Sequence, residues 1–423
     1  MKEIVNSLIE KVYASDKLNK KLKETFENAI NNTFTSTIKI TDQDDAFVIT
    51  GDINAMWLRD SAGQIRPLFY IDSKEADELI LKVLKRQWFS IQKDTYANAF
   101  NETASGAEWN KYDLTEHNPW VWERKYELDS IAYIMQIAHL YYEKTGDNSF
   151  LDEDFLTTLD TLVDQLILEQ NHENSTYEFE RPDPWAASDS LRGGKRGTPV
   201  AYTGMSWTGF RPSDDSCVYQ YLIPANAFTV VSLRRLAAVL EKEGLKKDLQ
   251  EKMLTLADQI DQGIKNHGII DLNGQEVLAY EVDGLGNHLF MDDANVPSLL
   301  SLPYLEYVEK DDPLYLATRQ AILSKENPFY FEGKAAKGIG SEHTPKDYIW
   351  HIALAMQAMT ATDKKEIDRI MNYFETTDAG TKLMHEGFHK DNPSEFTREW
   401  FSWSNSMFCE AVLRYIGLEM IKK

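Results

Sequence analysis

Residues 128–146, LDSIAYIMQIAHLYYEKTG, repeat apolar side chains with the period of an α-helix. The positions that fall on one face are Leu128, Ile131, Ile134, Met135, Ala138 and Tyr142. Gly146 follows them, and glycine commonly ends a helix because it adopts a left-handed backbone without strain. The segment therefore predicts an amphipathic helix with one face in a hydrophobic core.

Eleven further segments show the same spacing. They are residues 2–13, 17–31, 57–70, 75–93, 152–170, 219–243, 246–266, 311–323, 346–361, 364–376 and 399–421. Strand-like alternation is short and confined to residues 37–42, 46–50, 175–181 and 276–284, which is typical of hairpins in connections. Because so few strands cannot build a sheet-based core, helices must pack on helices. We predict an all-α protein, a toroid of about six helical pairs with a few short β-hairpins in the loops.

Length and composition favour one folded unit over a string of domains. The 423 residues show no short-period repeat, no low-complexity tract and no Pro/Ser-rich linker, so we predict a single domain over residues 1–423. The formal net charge is −23 and no long basic run is present, which disfavours nucleic acid and anionic membranes as partners.

Targeting and metal motifs are also missing from the sequence. Charges interrupt every apolar run near the start, and no apolar run reaches about 18 residues, so neither a signal peptide nor a membrane span is predicted and a cytoplasmic location is expected. Cys217 and Cys409 lack the spacing of a metal site and are too few for a disulfide framework, which predicts reduced packing residues. HExxH, EF-hand, dinucleotide-binding and G-x-S-x-G motifs do not occur, and we expect no metal and no cofactor.

The long connections carry the polar chemistry of the sequence. Long loops within a compact domain are usually functional, and here they combine carboxylates, amides, arginines and aromatic residues. The residues of interest are Trp57, Arg59, Asp60, Asn101, Glu102, Trp109, Glu127, Asp129, Trp207, Arg211, Asp214, Asp215, Asp292, Asp293, Asn295, His385, Glu386, Asp391, Glu399, Trp400 and Trp403.

This composition suits a sugar ligand. Aromatic rings cover the C–H faces of a pyranose, while carboxylates, amides and guanidinium groups bind its hydroxyls. Cleavage of a glycosidic bond needs one protonated carboxyl group and one ionised carboxylate. Purely structural interpretations remain open for each motif: Asp60 at a helix dipole with Arg59 in an ion pair, Asp214 as a helix N-cap, and residues 292–298 as a turn before a helix.

Four long motifs resemble glycoside hydrolase family 125, bacterial exo-acting α-1,6-mannosidases. They are GDINAMWLRDSAGQIRPLFY (51–70), TGMSWTGFRPSDDSCVYQYLIPANAF (203–228), DDANVPSLLSLPYL (292–305) and HEGFHKDNPSEFTREWFSWSNSMFCE (385–410). The similarity runs from about residue 30 to the C-terminus. It implies an (α/α)6 barrel, hydrolysis with inversion, non-reducing terminal mannose in a 1,6 link as the substrate unit, and no metal.

The resemblance also implies roles for individual residues. An aspartate of RPSDD is the expected general acid, with Asp215 preferred and Asp214 as the competitor, and Glu386 is the expected general base. Arg59 and Asp60 are expected to hold the terminal mannose, and the lesser candidates for that pocket are Trp57, Asp129 and Asn295. The acid needs a raised pKa, and inversion needs roughly 6.5–9.5 Å between the two carboxyl groups.

Two other functions fit parts of the sequence. A glycoside phosphorylase on the same barrel would need cations beside the base, and RGGKRG (192–197) offers Arg192, Lys195 and Arg196. A carbohydrate-binding protein without catalysis would use the same aromatic and polar residues. The expected partner in each case is a mannose-containing oligosaccharide, and the oligomeric state is left open.

Overall fold

The computed structural model describes residues 2–423, and twelve α-helices lie in that range. They are α1 (Lys2–Ala14), α2 (Lys20–Ser36), α3 (Leu58–Gln64), α4 (Lys74–Ile91), α5 (Leu128–Thr145), α6 (Glu153–Leu168), α7 (Ile223–Glu243), α8 (Lys247–His267), α9 (Pro313–Ile322), α10 (His351–Thr360), α11 (Lys364–Thr376) and α12 (Ser402–Ile416). Each overlaps one predicted segment. The helical content predicted from apolar periodicity is therefore confirmed.

Fifteen short strands within residues 2–423 form six small antiparallel sheets of two or three strands. They are β1 (Ile38–Ile40), β2 (Ala46–Val48), β3 (Met56–Trp57), β4 (Ala99–Phe100), β5 (Val121–Glu123), β6 (Tyr221–Leu222), β7 (Ile269–Leu272), β8 (Gln275–Leu278), β9 (Glu281–Val282), β10 (His288–Leu289), β11 (Tyr330–Glu332), β12 (Lys337–Ile339), β13 (Tyr348–Trp350), β14 (Gly387–His389) and β15 (Phe396–Thr397). All of these sheets connect helices, as predicted.

One predicted strand is wrong. Residues 175–181 alternate buried and exposed side chains, but they pair with other chain segments only at the isolated bridge between Leu114 and Glu180. The Phe179 amide donates instead to the Lys195 carbonyl in a different loop. The alternating apolar pattern therefore predicted which side chains are buried, but no second strand lies beside this segment to form a β-ladder.

The helices fall into two classes by burial. Every residue of α3 and α10 is buried, and α5, α7 and α12 are buried on nearly all sides. Helix α12 packs against α10 and α3, α3 packs against α5, and α5 packs against α7. Amphipathic helices cover this row: α2 lies on α12, α4 on α5, α8 on α7 and α11 on α10. Among residues 2–423, α7 is the one helix long and apolar enough to cross a membrane, but 78% of its apolar window is buried in the structure.

The two classes also begin differently. Outer helices α2, α4, α6, α9 and α11 start at side-chain caps, which are Asn19, Ser73, Asp152, Asp312 and Asp363. The buried helices α3, α5, α7, α10 and α12 have no side-chain cap, and short strands precede them. In α3, α7 and α12 a backbone carbonyl of another segment accepts the first amide, as in Leu58 N to Asn98 O at 3.1 Å, and in α5 the Thr208 hydroxyl accepts the Leu128 amide. The first turn of each buried helix is therefore free to carry other side chains.

Glu410 on α12 ties three parts of the buried layer together. Its carboxylate accepts hydrogen bonds from Arg66 at 3.2 Å, Tyr70 at 3.1 Å, Tyr304 at 2.8 Å and Arg414 at 2.7 Å. Burial alone would raise the pKa of Glu410, but Arg66 and Arg414 outweigh it and lower that pKa to about 2. The ionised form is therefore the one the fold stabilises.

Replacing this carboxylate should destabilise the fold. Glu410→Ala leaves Arg66 buried without its counter-charge, so we expect a loss of about 3–5 kcal/mol in the free energy of unfolding by urea at pH 7. Because the folded pKa lies below the unfolded value, the contribution is complete above about pH 4.5 and disappears as pH falls toward 2. The difference between the two proteins should shrink over that range. Glu78→Ala, which removes the exposed pair with Lys74, is the control and should leave stability unchanged.

Candidate active site

A cavity of about 350 Å³ lies where the N-terminal ends of α3, α10 and α12 meet the long loops. The lining residues are Thr50, Ile53, Trp57, Arg59, Asp60, Pro212, Ser213, Asp214, Asn295, His343, Trp350, Glu386, Arg398, Phe401 and Trp403. Six of the eight predicted site residues are among them: Trp57, Arg59, Asp60, Asp214, Asn295 and Glu386. Residues from five distant segments of the chain are thus brought together.

Aromatic side chains form much of the cavity wall, and Trp403 is held most tightly. The Arg59 guanidinium lies 5.6 Å from the centre of the Trp403 ring. Gly63 on α3 packs against the same indole, and a Cβ at this position would lie 2.3 Å from Trp403 Nε1. Only glycine at position 63 therefore leaves room for Trp403 where it is.

Arg59 is the centre of an acidic cluster at one side of the cavity. Its Nη1 donates to Glu127 Oε2 at 2.5 Å, and its Nη2 donates to Asp214 Oδ1 at 3.1 Å. Asp129 Oδ2 lies 3.5 Å from Nη1, and Asp60 Oδ2 lies 3.5 Å from Nε. The guanidinium is 3% exposed, so it holds carboxyl groups from α3, from the start of α5 and from the 211–216 loop in a nearly dry environment.

Asp60 lines the cavity, and within residues 2–423 its carboxylate oxygens accept no hydrogen bond from another side chain, although Arg59 is nearby. Burial raises the pKa of Asp60 to about 6, against the opposing charges of Arg59 and Arg398. An open carboxylate beside a guanidinium can accept hydrogen bonds from two neighbouring sugar hydroxyls.

Asp129 does not line the cavity, contrary to its predicted role in substrate binding. It is fully buried in the first turn of α5, behind Arg59. Burial raises the pKa of Asp129 to about 6, and Arg59 opposes that rise. Its Oδ2 lies 3.5 Å from Arg59 Nη1, beside the guanidinium and outside the cavity wall.

The two neighbouring aspartates of RPSDD point in different directions. Asp214 has a positive φ of 66°, lines the cavity and keeps 24% of its side chain exposed. Asp215 is 2% exposed, accepts a hydrogen bond from Ser213 Oγ at 2.8 Å and lies 3.4 Å from His343 Nδ1. Aspartate tolerates the left-handed backbone that separates the two carboxyl groups.

The expectation that Asp215 has a raised pKa is wrong. Burial alone would raise it, but His343 and the hydrogen bonds from Ser213 and Ser188 outweigh burial and lower the pKa of Asp215 to about 2. Asp215 is therefore an ionised partner of His343. In turn, burial disfavours the charged imidazole, but Asp215 and Glu386 raise the pKa of His343 to about 10. A positive charge thus lies at the cavity edge at neutral pH.

Glu386 lines the same cavity from the residue directly before β14. It is 5% exposed, and Arg398 Nη1 is 3.7 Å from its Oε1. Arg398 is itself fixed by Asp52, whose two carboxylate oxygens lie 3.1 and 3.2 Å from Nε. Asn295 completes this part of the wall, with its Nδ2 donating to Asp293 at 2.8 Å.

Several other residues that the sequence singled out are structural. Asp292 accepts the amides of Leu299 and Leu300, so the turn interpretation of residues 292–298 fits. Asp214 does not cap a helix, since α7 begins after Leu222. The buried side chains outside the cavity wall include Trp207, Arg211 and His385.

The three cations of RGGKRG pair with groups other than Glu386. Arg192 pairs with Glu342 at 2.8 Å, Lys195 pairs with Glu178 at 3.2 Å, and Arg196 donates to backbone carbonyls. These three residues are absent from the wall around Glu386. Residues 2–423 also contain no group of three or more His, Cys, Asp or Glu arranged to hold a metal ion.

Comparison with known families places this geometry in context. The sequence model of the protein family described as metal-independent α-mannosidase (GH125) matches residues 19–413. The chain belongs to glycoside hydrolase family 125. Among proteins similar to this family 125 chain is the "Meiotically up-regulated gene 157 protein" of Schizosaccharomyces pombe, 39% identical over 420 residues, or 93% of this chain and 82% of the yeast protein. The family resemblance seen in the sequence is confirmed, and it is not confined to bacteria.

Solved structures agree with this membership. A metal-independent α-mannosidase of Streptococcus pneumoniae, solved as a non-productive substrate complex with α-1,6-mannobiose, shares 42% identity over 99% of both chains with a TM-score of 0.96. A bacterial glucoamylase complexed with acarbose has a TM-score of 0.62 at 12% identity, over 94% of this chain and 56% of that one. The second likeness concerns the fold alone.

Sequence reasoning missed some of the residues around the cavity. Arg398 lies within one of the four motifs and could have been found beside Glu386. His343 and Trp350 lie outside all four motifs, and nothing in their local sequence marks them. Glu127 was noticed only as one polar residue among many, although it forms the shortest hydrogen bond to Arg59.

Filling the space at Gly63 should disturb the cavity. Gly63→Ala pushes a methyl group into the Trp403 indole, so we expect about 1–3 kcal/mol of destabilisation and weaker sugar binding. Unfolding in urea and titration with mannobiose would measure the two effects. In a Trp403→Phe background the same alanine should cost less, because the smaller ring leaves space; an equal cost in both backgrounds would contradict the packing argument.

Proposed function

We propose that this family 125 enzyme is an exo-acting α-1,6-mannosidase that inverts the configuration at the anomeric carbon. The observation that supports it most is the meeting of Asp214 and Glu386 in one cavity, with Arg59, Asp60 and aromatic walls around it. Aromatic side chains and hydrogen-bonding groups in one cavity are the combination that a sugar needs.

The linkage is carried over from a relative. The Streptococcus pneumoniae α-mannosidase was solved with α-1,6-mannobiose in work on the processing of N-linked glycans, and it shares 42% identity with this chain. We therefore take a mannose-containing oligosaccharide with a terminal α-1,6 link as the substrate. Asp60 and Arg59 would bind the hydroxyls of the terminal mannose, and Trp57 and Trp403 would cover its C–H faces.

In the proposed mechanism Asp214 is the general acid and Glu386 the general base. Asp214 gives its proton to the glycosidic oxygen as the bond to the anomeric carbon breaks, and Glu386 takes a proton from the water that attacks that carbon. Asp214 replaces Asp215 in this role, because Asp215 lies outside the cavity wall and pairs with His343. Arg398 lies beside Glu386, with Nη1 3.7 Å from Oε1.

The chain architecture proposed for this enzyme is one (α/α)6 barrel over the whole length. Support comes from the row of buried helices from α10 to α7 and its cover of amphipathic helices. A barrel of this kind needs six inner segments, and residues 298–305 are suited to be the sixth. Tyr304 donates a hydrogen bond to Glu410 on α12, and the Leu300 carbonyl accepts one from Tyr315 on α9. The similarity of fold to glucoamylase agrees with this arrangement.

Early product analysis should distinguish inversion from retention. Water attacks the face opposite the leaving group, so NMR of α-1,6-mannobiose hydrolysis should show β-mannose before α-mannose. The reaction should run at full rate without phosphate, in contrast to a phosphorylase. α-Mannose as the first product would mean a covalent intermediate, and Glu386 would then be a nucleophile.

Two variants should decide which aspartate is the acid. Asp214→Asn should lower kcat/KM for α-1,6-mannobiose by about 10²–10⁴-fold, the usual contribution of a general acid, but should have little effect on 2,4-dinitrophenyl α-mannoside, whose leaving group needs no proton. Asp215→Asn frees His343 and should lower both rates alike. If Asp215→Asn instead loses only the mannobiose activity while Asp214→Asn loses both activities alike, Asp215 is the acid. If the intact protein turns over neither substrate, a carbohydrate-binding role remains.

A further inference from the structure

Glu127 is a buried carboxyl group next to the proposed acid that the mechanism above does not use. It is 1% exposed at the start of α5. Arg59 donates to Glu127 Oε2 through Nη1 and to Asp214 Oδ1 through Nη2, so one guanidinium spans both carboxyl groups. Asn98 spans them as well, with its Nδ2 3.3 Å from Glu127 Oε1 and 3.4 Å from Asp214 Oδ1. Both carboxyl groups are therefore held by the same two donors, the Arg59 guanidinium and the Asn98 amide.

The local charges explain why this proton remains. The titratable and charged groups around the pair are Arg59 and Asp60 from α3, Asp129 from α5, Glu123 and Lys125 before α5, and His343 beside Asp214. Four carboxyl groups, those of Asp60, Glu127, Asp129 and Asp214, share the buried guanidinium of Arg59. Ionised carboxylates that share one buried cation repel each other strongly, so full ionisation of the cluster is unfavourable.

We propose that Glu127 and Asp214 share one proton, with Glu127 as the positioning residue that holds it for the acid; this inference rests on the proposed glycosidase function. Burial raises the pKa of Glu127 well above its usual range against the opposing charge of Arg59. For Asp214, burial acts in the same direction, but Arg59 and the hydrogen bond from Glu127 outweigh it and lower the pKa. Glu127 is 1% exposed whereas 24% of the Asp214 side chain is exposed, so in the resting enzyme the proton stays on Glu127.

The transfer balances without a further reactant. The O–H bond of Glu127 breaks as an O–H bond forms on Asp214, and Asp214 passes a proton to the glycosidic oxygen when the bond to the anomeric carbon breaks. The pair has then lost one proton to the leaving sugar, and Glu386 has gained one from water. Solvent carries a proton from Glu386 back to the pair before the next turnover.

Asp129 provides a matched control for a purely structural role. Both Glu127 and Asp129 are buried carboxyl groups near Arg59 Nη1, at 2.5 and 3.5 Å. Only Glu127 is linked to Asp214 through Asn98. If Glu127 merely fixes Arg59, replacing either residue should have the same kind of effect on catalysis.

The test compares Glu127→Gln with Asp129→Asn on two substrates, α-1,6-mannobiose and 2,4-dinitrophenyl α-mannoside. Glutamine fills the same space and can donate to Asp214, but it cannot release a proton. We expect Glu127→Gln to lower kcat/KM for mannobiose by about 10²–10⁴-fold and for the dinitrophenyl substrate by less than about 10-fold. The mannobiose activity of this variant should also fall at a lower pH than in the wild type, since Asp214 alone loses its proton more readily. Asp129→Asn should reduce both activities by the same factor.

Each other outcome has a defined meaning. Equal losses on both substrates for Glu127→Gln, with an unchanged pH profile, would overturn the shared proton and leave a structural role. Absence of mannobiose cleavage by the wild type would overturn the proposed function itself, independently of Glu127. Should Glu127→Gln fail to fold by circular dichroism, Glu127→Asp keeps a titratable group, and its loss on mannobiose must still exceed its loss on the dinitrophenyl substrate.

Discussion

The buried guanidinium of Arg59 is the interaction on which the active site depends. It holds Asp60 on its own helix, Glu127 and Asp129 at the start of α5, and Asp214 in the 211–216 loop. A buried charge is costly unless it is paired and hydrogen-bonded, and breaking such a pair costs far more than breaking one on the surface. Arg59 therefore fixes three separate parts of the chain at once, and it also sets the balance of protons among the carboxyl groups around it.

The arrangement of helices makes this cluster possible. The buried helices follow short strands and lack caps from their own N-cap side chains, and groups of distant segments accept the first amides of α3, α5 and α12. Their first turns consequently carry aromatic and charged residues such as Trp57, Arg59 and Trp403 into one cavity. The outer helices α2, α4, α6, α9 and α11 begin instead at Ser, Asn or Asp caps, whereas the outer helix α8 has none.

The two sides of the cavity provide different electrostatic environments for the two carboxyl groups that glycoside hydrolysis needs. Asp214 lies among other carboxyl groups beside Arg59 and Glu127, where full ionisation is unfavourable. Glu386 lies near two cations instead, Arg398 and the charged His343. Separate environments for two otherwise similar acids are the usual way in which one enzyme provides an acid and a base at the same pH. This asymmetry agrees with membership of family 125 and with the proposed mechanism.

The sequence alone determined the helical architecture and most of the cavity wall. Apolar periodicity is a local property, so it located all twelve helices of residues 2–423, and the four motifs contained Arg59, Asp60, Asn295 and Glu386. Only the tertiary structure could decide between Asp214 and Asp215, because adjacent residues of one type differ solely in the direction that a positive φ and the contact with His343 impose. The same holds for Glu127 and Asp129, whose positions relative to Arg59 depend on how α3 packs against α5. The direction of a side chain in a loop or first turn is set by partners far along the chain, and that information is absent from local sequence.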